Sequence, residues 1–231
     1  MTTLMGMSLP NPVLDLAAEV VPEAEDRGRL AFAYAHGPLL AGFGDDAEVE
    51  LVCVWDHETV PEDAPTAASH ITIAEFDRRV HVVTTGQGWD PADAEPLTTV
   101  AQFAYGVLLS DDEGAGTRVR GVVSDFPQAL CEISAKTLMQ DRDSVPDRFT
   151  ATDDPWQRAV ILIQALYNGY VAWYAANGHY YAGAQRRTEY ADHFGLEQEV
   201  PRLERVIWDN LAGQDASAAY VAFAERILSD C

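Results

Sequence analysis

The chain has 231 residues, 48% of them hydrophobic, and carries 37 acidic against 15 basic side chains for a formal net charge of −22. That much apolar material builds a packed core and excludes a globally disordered chain. A surface this acidic repels phosphate backbones and anionic membranes, so nucleic acid and membrane are excluded as partners, and a neutral or cationic small molecule is expected.

The length suits one large domain or two small ones. Cys53, Cys131 and Cys231 are far apart and lack the CxxC or Cys/His spacing of a zinc site. No charged segment leads into a long apolar run at the start, and no run approaches a membrane span, so a cytoplasmic protein is expected.

Residues 1–12 read as a lead-in with Pro10 and Pro12. A helix is predicted through Leu14–Val20, breaking near Pro22 and resuming to Tyr34, where Gly37-Pro38 stops it. Leu39–Ala41 reads as a short strand, Gly42–Ala47 as a turn and Val49–Trp55 as a strand buried on both faces. After a Pro-containing loop, Ile71–Ile73 and Arg79–Thr84 read as two further β stretches. Ala92–Ala104 is predicted helical, Tyr105–Leu109 is a short apolar run, and Pro127 opens a helix over Gln128–Met139.

The charged stretch Asp141–Asp153 with Pro146 is where a boundary is expected, giving an α/β domain over 1–145 and a helical bundle over 146–231. Asp153 or Asp154 caps a helix that has Pro155 in its first turn and runs to about Ala176. Its apolar positions, from Trp156, Val160 and Ile163 to Tyr170 and Tyr174, recur at helical spacing. Further helices fit Ala184–His193, Glu197–Leu211 and Ala216–Leu228. The fold class is therefore α+β: a small mixed sheet with flanking helices, then a helical bundle.

Glu48 and Glu50 stand two apart at the head of a strand, so both carboxylates share one face of the sheet. Like charges so placed repel unless a cation lies between them or one carboxyl stays protonated. The pair therefore suits a metal ion or acid/base work, or two solvated carboxylates. His81, between Val80 and Val82, reads as a strand histidine that either packs structurally or serves as an acid/base group facing the two glutamates. Tyr167, Tyr170, Trp173, Tyr174, His179 and Tyr180 form a dense aromatic group. They suit either the core of a bundle or the wall of a cleft that binds a small molecule, with Arg186 close by. No G-x-S-x-G, G-x-G-x-x-G or Walker pattern is present.

Several of these segments together resemble the small-molecule nucleotidyltransferases, the superfamily of the aminoglycoside and streptomycin enzymes. Gly37-Pro38 falls where that family has Gly-Ser, Gly42 at its second glycine, and Glu48-Val49-Glu50-Leu51 at its Asp-x-Asp-Leu. Val80-His81-Val82 stands at its third-carboxylate strand, Tyr105–Gly114 at its apolar stretch and polar turn, and Asn177–Gly183 at its bundle loop. The resemblance implies the two-part α+β fold. It also implies a site where two carboxylates hold Mg²⁺, a third activates the acceptor hydroxyl, a turn serine meets the phosphate and a lysine neutralises it.

This chain departs at each of those parts. Pro38 has no hydroxyl and no N–H, glutamates replace the aspartates, His81 is a poor Mg²⁺ ligand, and Gln185 with Arg186 and Arg187 stands near the lysine. The expected function is thus an enzyme on this scaffold that needs no cofactor. It would act on a neutral or cationic small molecule by acid/base chemistry through Glu48, Glu50 and His81: cyclisation, isomerisation, dehydration or hydrolysis, in specialised metabolism. Two alternatives stand beside it: nucleotidyl transfer with Mg²⁺ and NTP on Glu48 and Glu50, and a small-molecule-binding protein without catalysis.

Overall fold

The structure is a computed structural model that describes residues 11–40, 49–181, 183, 187–211, 213 and 215–231. It is α+β, and the chain divides into two compact units: Met1–Arg78 with Gln102–Ser124, and Arg79–Ala101 with Asp125–Cys231. The expected boundary at 145/146 falls inside a continuous helix, Gln128–Thr150.

The first unit is built on a four-stranded mixed sheet of β1 (Leu30–His36), β2 (Glu50–Trp55), β3 (Ser69–Thr72) and β4 (Val107–Ser110), in the order β3-β2-β1-β4. β1 runs antiparallel to both β2 and β4, and β3 runs parallel to β2. Residues 30–34, expected to end a helix, are strand instead. The reason lies in the alternation LAFAYAH, where small and large residues swap every second position.

The small face, Ala33 and Ala35, shares a side with Leu51, Cys53 and Trp55 of β2. Val20 and Ala24 of α1 (Asn11–Arg27) pack on Leu51, Cys53 and Trp55. Helix α1 continues through Pro22. Pro22 and Ala18, four residues back, are both exposed, so the carbonyl left without its N–H partner faces water.

The large face carries Phe32 and Tyr34. Their rings meet Phe76 of α2 (Ile73–Thr85) and Phe103 of α3 (Glu95–Tyr105) mostly edge-on, with centroids 5.1–6.2 Å apart. The guanidinium of Arg120, on α4 (Ala115–Ser124), lies 4.7 Å from the Phe103 ring centre and donates to the Phe103 and Gly106 carbonyls. Gly106 joins α3 to β4 where a Cβ would stand 2.4 Å from the Ala35 carbonyl oxygen, so only glycine fits.

The stretch Arg79–Thr84, expected as strand, belongs to α2. Its β-branched composition suggests a strand, but the buried positions Phe76, Val80 and Val83 recur at helical spacing.

The second unit is a helical bundle centred on α5 (Gln128–Thr150), α6 (Pro155–Ala176), α8 (Glu199–Asp209) and α9 (Asp215–Leu228), with α7 (Arg187–His193) before α8. α5 runs eleven residues beyond the predicted Met139, through Pro146, because its buried stripe continues as Leu130, Ser134, Leu138, Val145 and Phe149. The cap of α6 is as the sequence predicts: Asp154 Oδ1 accepts from the Trp156 N–H at 3.0 Å, with Pro155 in the first turn.

The apolar stripe of α6 does not behave uniformly. Trp156, Val160 and Ile163 are exposed, whereas Gly169 to Ala175 are buried throughout. Gly169 lets Phe223 of α9 approach so closely that a Cβ there would stand 2.3 Å from the Phe223 ring. α6 is long and apolar enough to cross a membrane, but 61% of its apolar window is buried inside the protein, as suits the central helix of a bundle.

Candidate functional site

Two arrangements of charged groups stand out, one in each unit. In the first, β1 ends on His36 and β2 begins on Glu50, and the antiparallel register sets the two directly opposite. Directly opposed residues share a face, so the imidazole and the carboxylate point the same way. His36 Nε2 lies 3.4 Å from Glu50 Oε2. The chain turns away after His36 through Gly37, whose φ of 141° is glycine territory, and the Leu40 N–H closes the turn on the Gly37 carbonyl at 3.0 Å.

The two partners differ in setting. His36 is buried against Tyr34, its ring 6.0 Å away, while the Glu50 side chain is 57% exposed. Burial lowers the His36 pKa from 6.5 to about 4. A carboxylate at 3.4 Å pulls the other way, but Glu50 sits largely in water, where its attraction is screened, so desolvation wins. His36 is therefore neutral at pH 7 beside a carboxylate.

Another histidine of this unit has both ring nitrogens engaged. His70 Nδ1 accepts from Trp55 Nε1–H at 3.2 Å, and its Nε2–H donates to the Pro65 carbonyl at 2.7 Å. It fastens β3 to the loop that precedes it.

The expected trio fares unevenly. Glu48 lies outside the described residues. Glu50 opens β2 as expected. His81 is on helix α2 rather than a strand, and its side chain is exposed. The imidazole that meets Glu50 is that of His36, which sequence reasoning misses. The available signal is a histidine at the last position before Gly-Pro, but only strand register reveals its partner.

Those neighbours also bear on a metal and a nucleotide. Among the described residues no group of three His, Cys, Asp or Glu side chains comes together to hold a metal ion. Pro38 offers no N–H, and the Leu40 N–H is committed within the turn. The described residues of the turn and strand therefore do not supply the donor set of an Mg²⁺–NTP site.

In the second unit the aromatic group packs inward. Tyr170, Trp173, Tyr174, Tyr180 and Tyr181 are buried, with Tyr167 and His179 partly so. Tyr170 and Tyr174 meet Tyr181, Trp173 crosses Tyr170 at 70°, and Tyr180 packs on Phe126. Burial raises the pKa of Tyr167 and Tyr180 to about 12. His179 stacks flat on Phe194, 4.0 Å away and 8° from parallel, and its pKa is lowered by burial and then by His193.

The polar centre of this unit is Glu204, a buried carboxylate in the stripe Val200, Glu204, Ile207 of α8. It accepts from the Tyr170 hydroxyl at 2.6 Å, from Trp208 Nε1–H at 3.0 Å and from the Arg187 guanidinium. That guanidinium lies 4.9 Å from the Tyr170 ring centre, and the Tyr174 hydroxyl fixes the Arg187 carbonyl at 2.5 Å. Burial and the bond to Glu204 both raise the Tyr170 pKa. Burial works against the Arg187 charge, but Glu204 together with Tyr170 and Tyr181 more than offsets it.

Beside this cluster opens a cleft of about 470 Å³, lined by Thr188, Gln198, Pro201, Arg202, Glu204, Arg205 and Trp208. The residues expected as a cleft wall are absent from that lining, except through the bond of Tyr170 to Glu204. Arg186 lies outside the described residues, and its neighbour Arg187 makes the ion pair. A glutamate in the apolar stripe of α8, four residues before a tryptophan, is the sequence signal for this cluster.

No protein-family model matches the chain, and no curated protein matches it. Among solved structures it is similar to a nucleotidyltransferase-like protein from Exiguobacterium sibiricum 255-15, at 12% identity and a TM-score of 0.49, over 94% of this chain and 74% of that one. A likeness of that degree leaves activity to be argued from this chain's own residues.

Proposed function

We propose that the chain is an enzyme that moves a proton on a neutral or cationic small molecule at the heads of β1 and β2, with His36 and Glu50 as its acid/base pair. The observation that carries this reading is the neutral, buried imidazole held 3.4 Å from an exposed carboxylate. With Nε2–H turned to the Glu50 carboxylate, the other nitrogen of the neutral ring, Nδ1, is the one that would take a proton from a substrate C–H or O–H. The imidazolium formed by that transfer would sit beside the Glu50 carboxylate.

In the free protein His36 is a weak base because burial opposes its charge. A substrate that covers Glu50 displaces water, lowers the local dielectric and strengthens the pull of the carboxylate on the incoming proton. The exposed carboxylate and the net charge of −22 favour neutral or cationic substrates. Isomerisation, dehydration and cyclisation all begin with such a proton transfer. The nucleotidyltransferase-like scaffold, Glu48 and His81 remain part of this reading as positions to be tested.

The test is a panel of neutral and cationic metabolites incubated with the protein in D₂O, read by mass spectrometry for deuterium uptake or a new product. The expected result is turnover that His36→Asn abolishes and that Glu50→Gln reduces by about 100-fold, the usual size of a lost acid/base contribution. Turnover unchanged in both variants overturns the assignment. Turnover or thermal stabilisation that requires an NTP with Mg²⁺ would favour nucleotidyl transfer instead.

A further inference from the structure

The α7–α8 cleft has a charge balance opposite to that of the protein around it. The chain is strongly acidic, and many of its arginines are spent on carboxylates: Arg27 on Asp63, Arg79 on Glu95, and Arg226 on Glu197, Glu199 and Asp230. Arg202 and Arg205 are different. Both are exposed on α8, both line the cleft, and neither guanidinium has a hydrogen bond or an ion pair with a described residue.

The acids near them in sequence, Asp209 one turn beyond Arg205 included, form no ion pair with either arginine. Glu197 and Glu199 are held by Arg226, and Asp192 accepts from Gln198. Glu204, the one carboxylate among the described residues of the lining, is saturated by Tyr170, Trp208 and Arg187, and Arg187 neutralises it. Among the described residues the cleft therefore keeps two guanidinium groups without an ion-pair partner.

The helix sets their spacing. Positions 202 and 205 are neighbours on one face, and Trp208 follows one further step along it. The Trp208 indole is fixed by its N–H bond to Glu204, so a flat apolar surface stands rigidly beside the two guanidinium groups. Guanidinium forks match the oxygens of a carboxylate or a phosphate, while an indole face suits a planar apolar body.

We infer that this cleft binds a small organic anion, a planar molecule bearing one carboxylate or phosphate group, with Arg202 and Arg205 on the anionic end and Trp208 on the flat body. The long-range field of the protein selects for small size. A polyanion would be repelled by the surrounding acids, whereas a single anionic group meets only the local pair. This site is separate from the strand-head pair and does not depend on the acid/base reading.

The experiment is an NMR titration of the full chain with phenyl phosphate and with benzoate, following the Trp208 indole N–H, with benzyl alcohol as the uncharged probe. Saturable shifts are expected with a Kd on the order of 1 mM, as suits ligands this small. Arg202→Gln/Arg205→Gln should weaken both anions by about 10-fold or more, because two charge-assisted contacts are lost. Neither arginine has a partner among the described residues, so the melting temperature of the variant stays unchanged. His36→Asn should leave the titration as it is. No saturable shift up to roughly 20 mM, equal affinity in the double variant, or benzyl alcohol binding as tightly as phenyl phosphate would each overturn the proposal.

Discussion

Glu50 and Glu204 are carboxylates in opposite situations. Glu50 is largely exposed and meets one neutral imidazole across a strand pair. Glu204 is buried and accepts from a tyrosine, a tryptophan and an arginine. A buried charge is tolerated only when its lone pairs are filled and its charge is matched. Glu204 is therefore a fastening that joins α6, α7 and α8, with nothing left over for chemistry. Glu50 keeps unused acceptor capacity in water and so is available to a substrate. A titratable group left incompletely satisfied is a better guide to function than one in a dense network.

Removing each carboxylate tests that contrast most directly. Glu204→Ala should destabilise the protein by about 3 kcal/mol, because Arg187 is left without its counter-charge and two donors lose their acceptor. The drop will register as a lowered midpoint in denaturant unfolding. Glu50→Gln should change stability by no more than about 0.5 kcal/mol, as for other exposed surface substitutions. Equal losses at the two positions would erase the distinction.

Acid titration gives the next largest effect. The folded chain holds His36 neutral with a pKa near 4, against 6.5 for the unfolded chain. As pH falls from about 6.5 to about 4, the unfolded chain gains a proton that the folded chain refuses. Stability is therefore lost across that window, by up to about 3 kcal/mol. Unfolding curves at stepped pH should show this slope, and His36→Gln should flatten it. Should wild type and variant slope alike, His36 is not the buried neutral group described here.

Smaller effects sharpen the comparison of the units themselves. Gly169→Ala drives a methyl into the Phe223 ring, and the overpacked α6–α9 contact should cost about 1–3 kcal/mol in unfolding free energy. Asp154→Ala removes the side-chain acceptor of the α6 cap and should cost about 1 kcal/mol. Both act on the bundle alone. A His36 NMR signal that shifts in either variant would show that the bundle reports to the strand heads.

The α6 cap is legible in the sequence, because Asp followed by Pro acts within one turn of chain. The mixed sheet, β2 and the late helices are legible for a similar reason: their patterns are local and repeat. Residues 30–34 and 79–84 read wrongly in sequence because short apolar runs fit either period, and their neighbours decide between them. Ala33 and Ala35 share a face with β2 residues on which α1 packs, and Val80 and Val83 extend the stripe begun by Phe76. Pro146 misleads in the same way, since a proline disfavours a helix locally while burial of Val145 and Phe149 sustains it. Of the candidate site, Glu50 is legible and His36 is not.

By itself the sequence determined the acidic surface, the α+β class and the elements whose capping and periodicity act within a few residues. Tertiary structure alone decided which groups meet: His36 opposite Glu50 through strand register, and Arg187 with Tyr170 and Trp208 around Glu204 through helix packing. The reason is physical. Secondary structure follows from interactions a few residues apart, whereas a site is made by residues 14 or 34 positions apart, such as His36–Glu50 or Tyr170–Glu204, which burial of the core brings into reach.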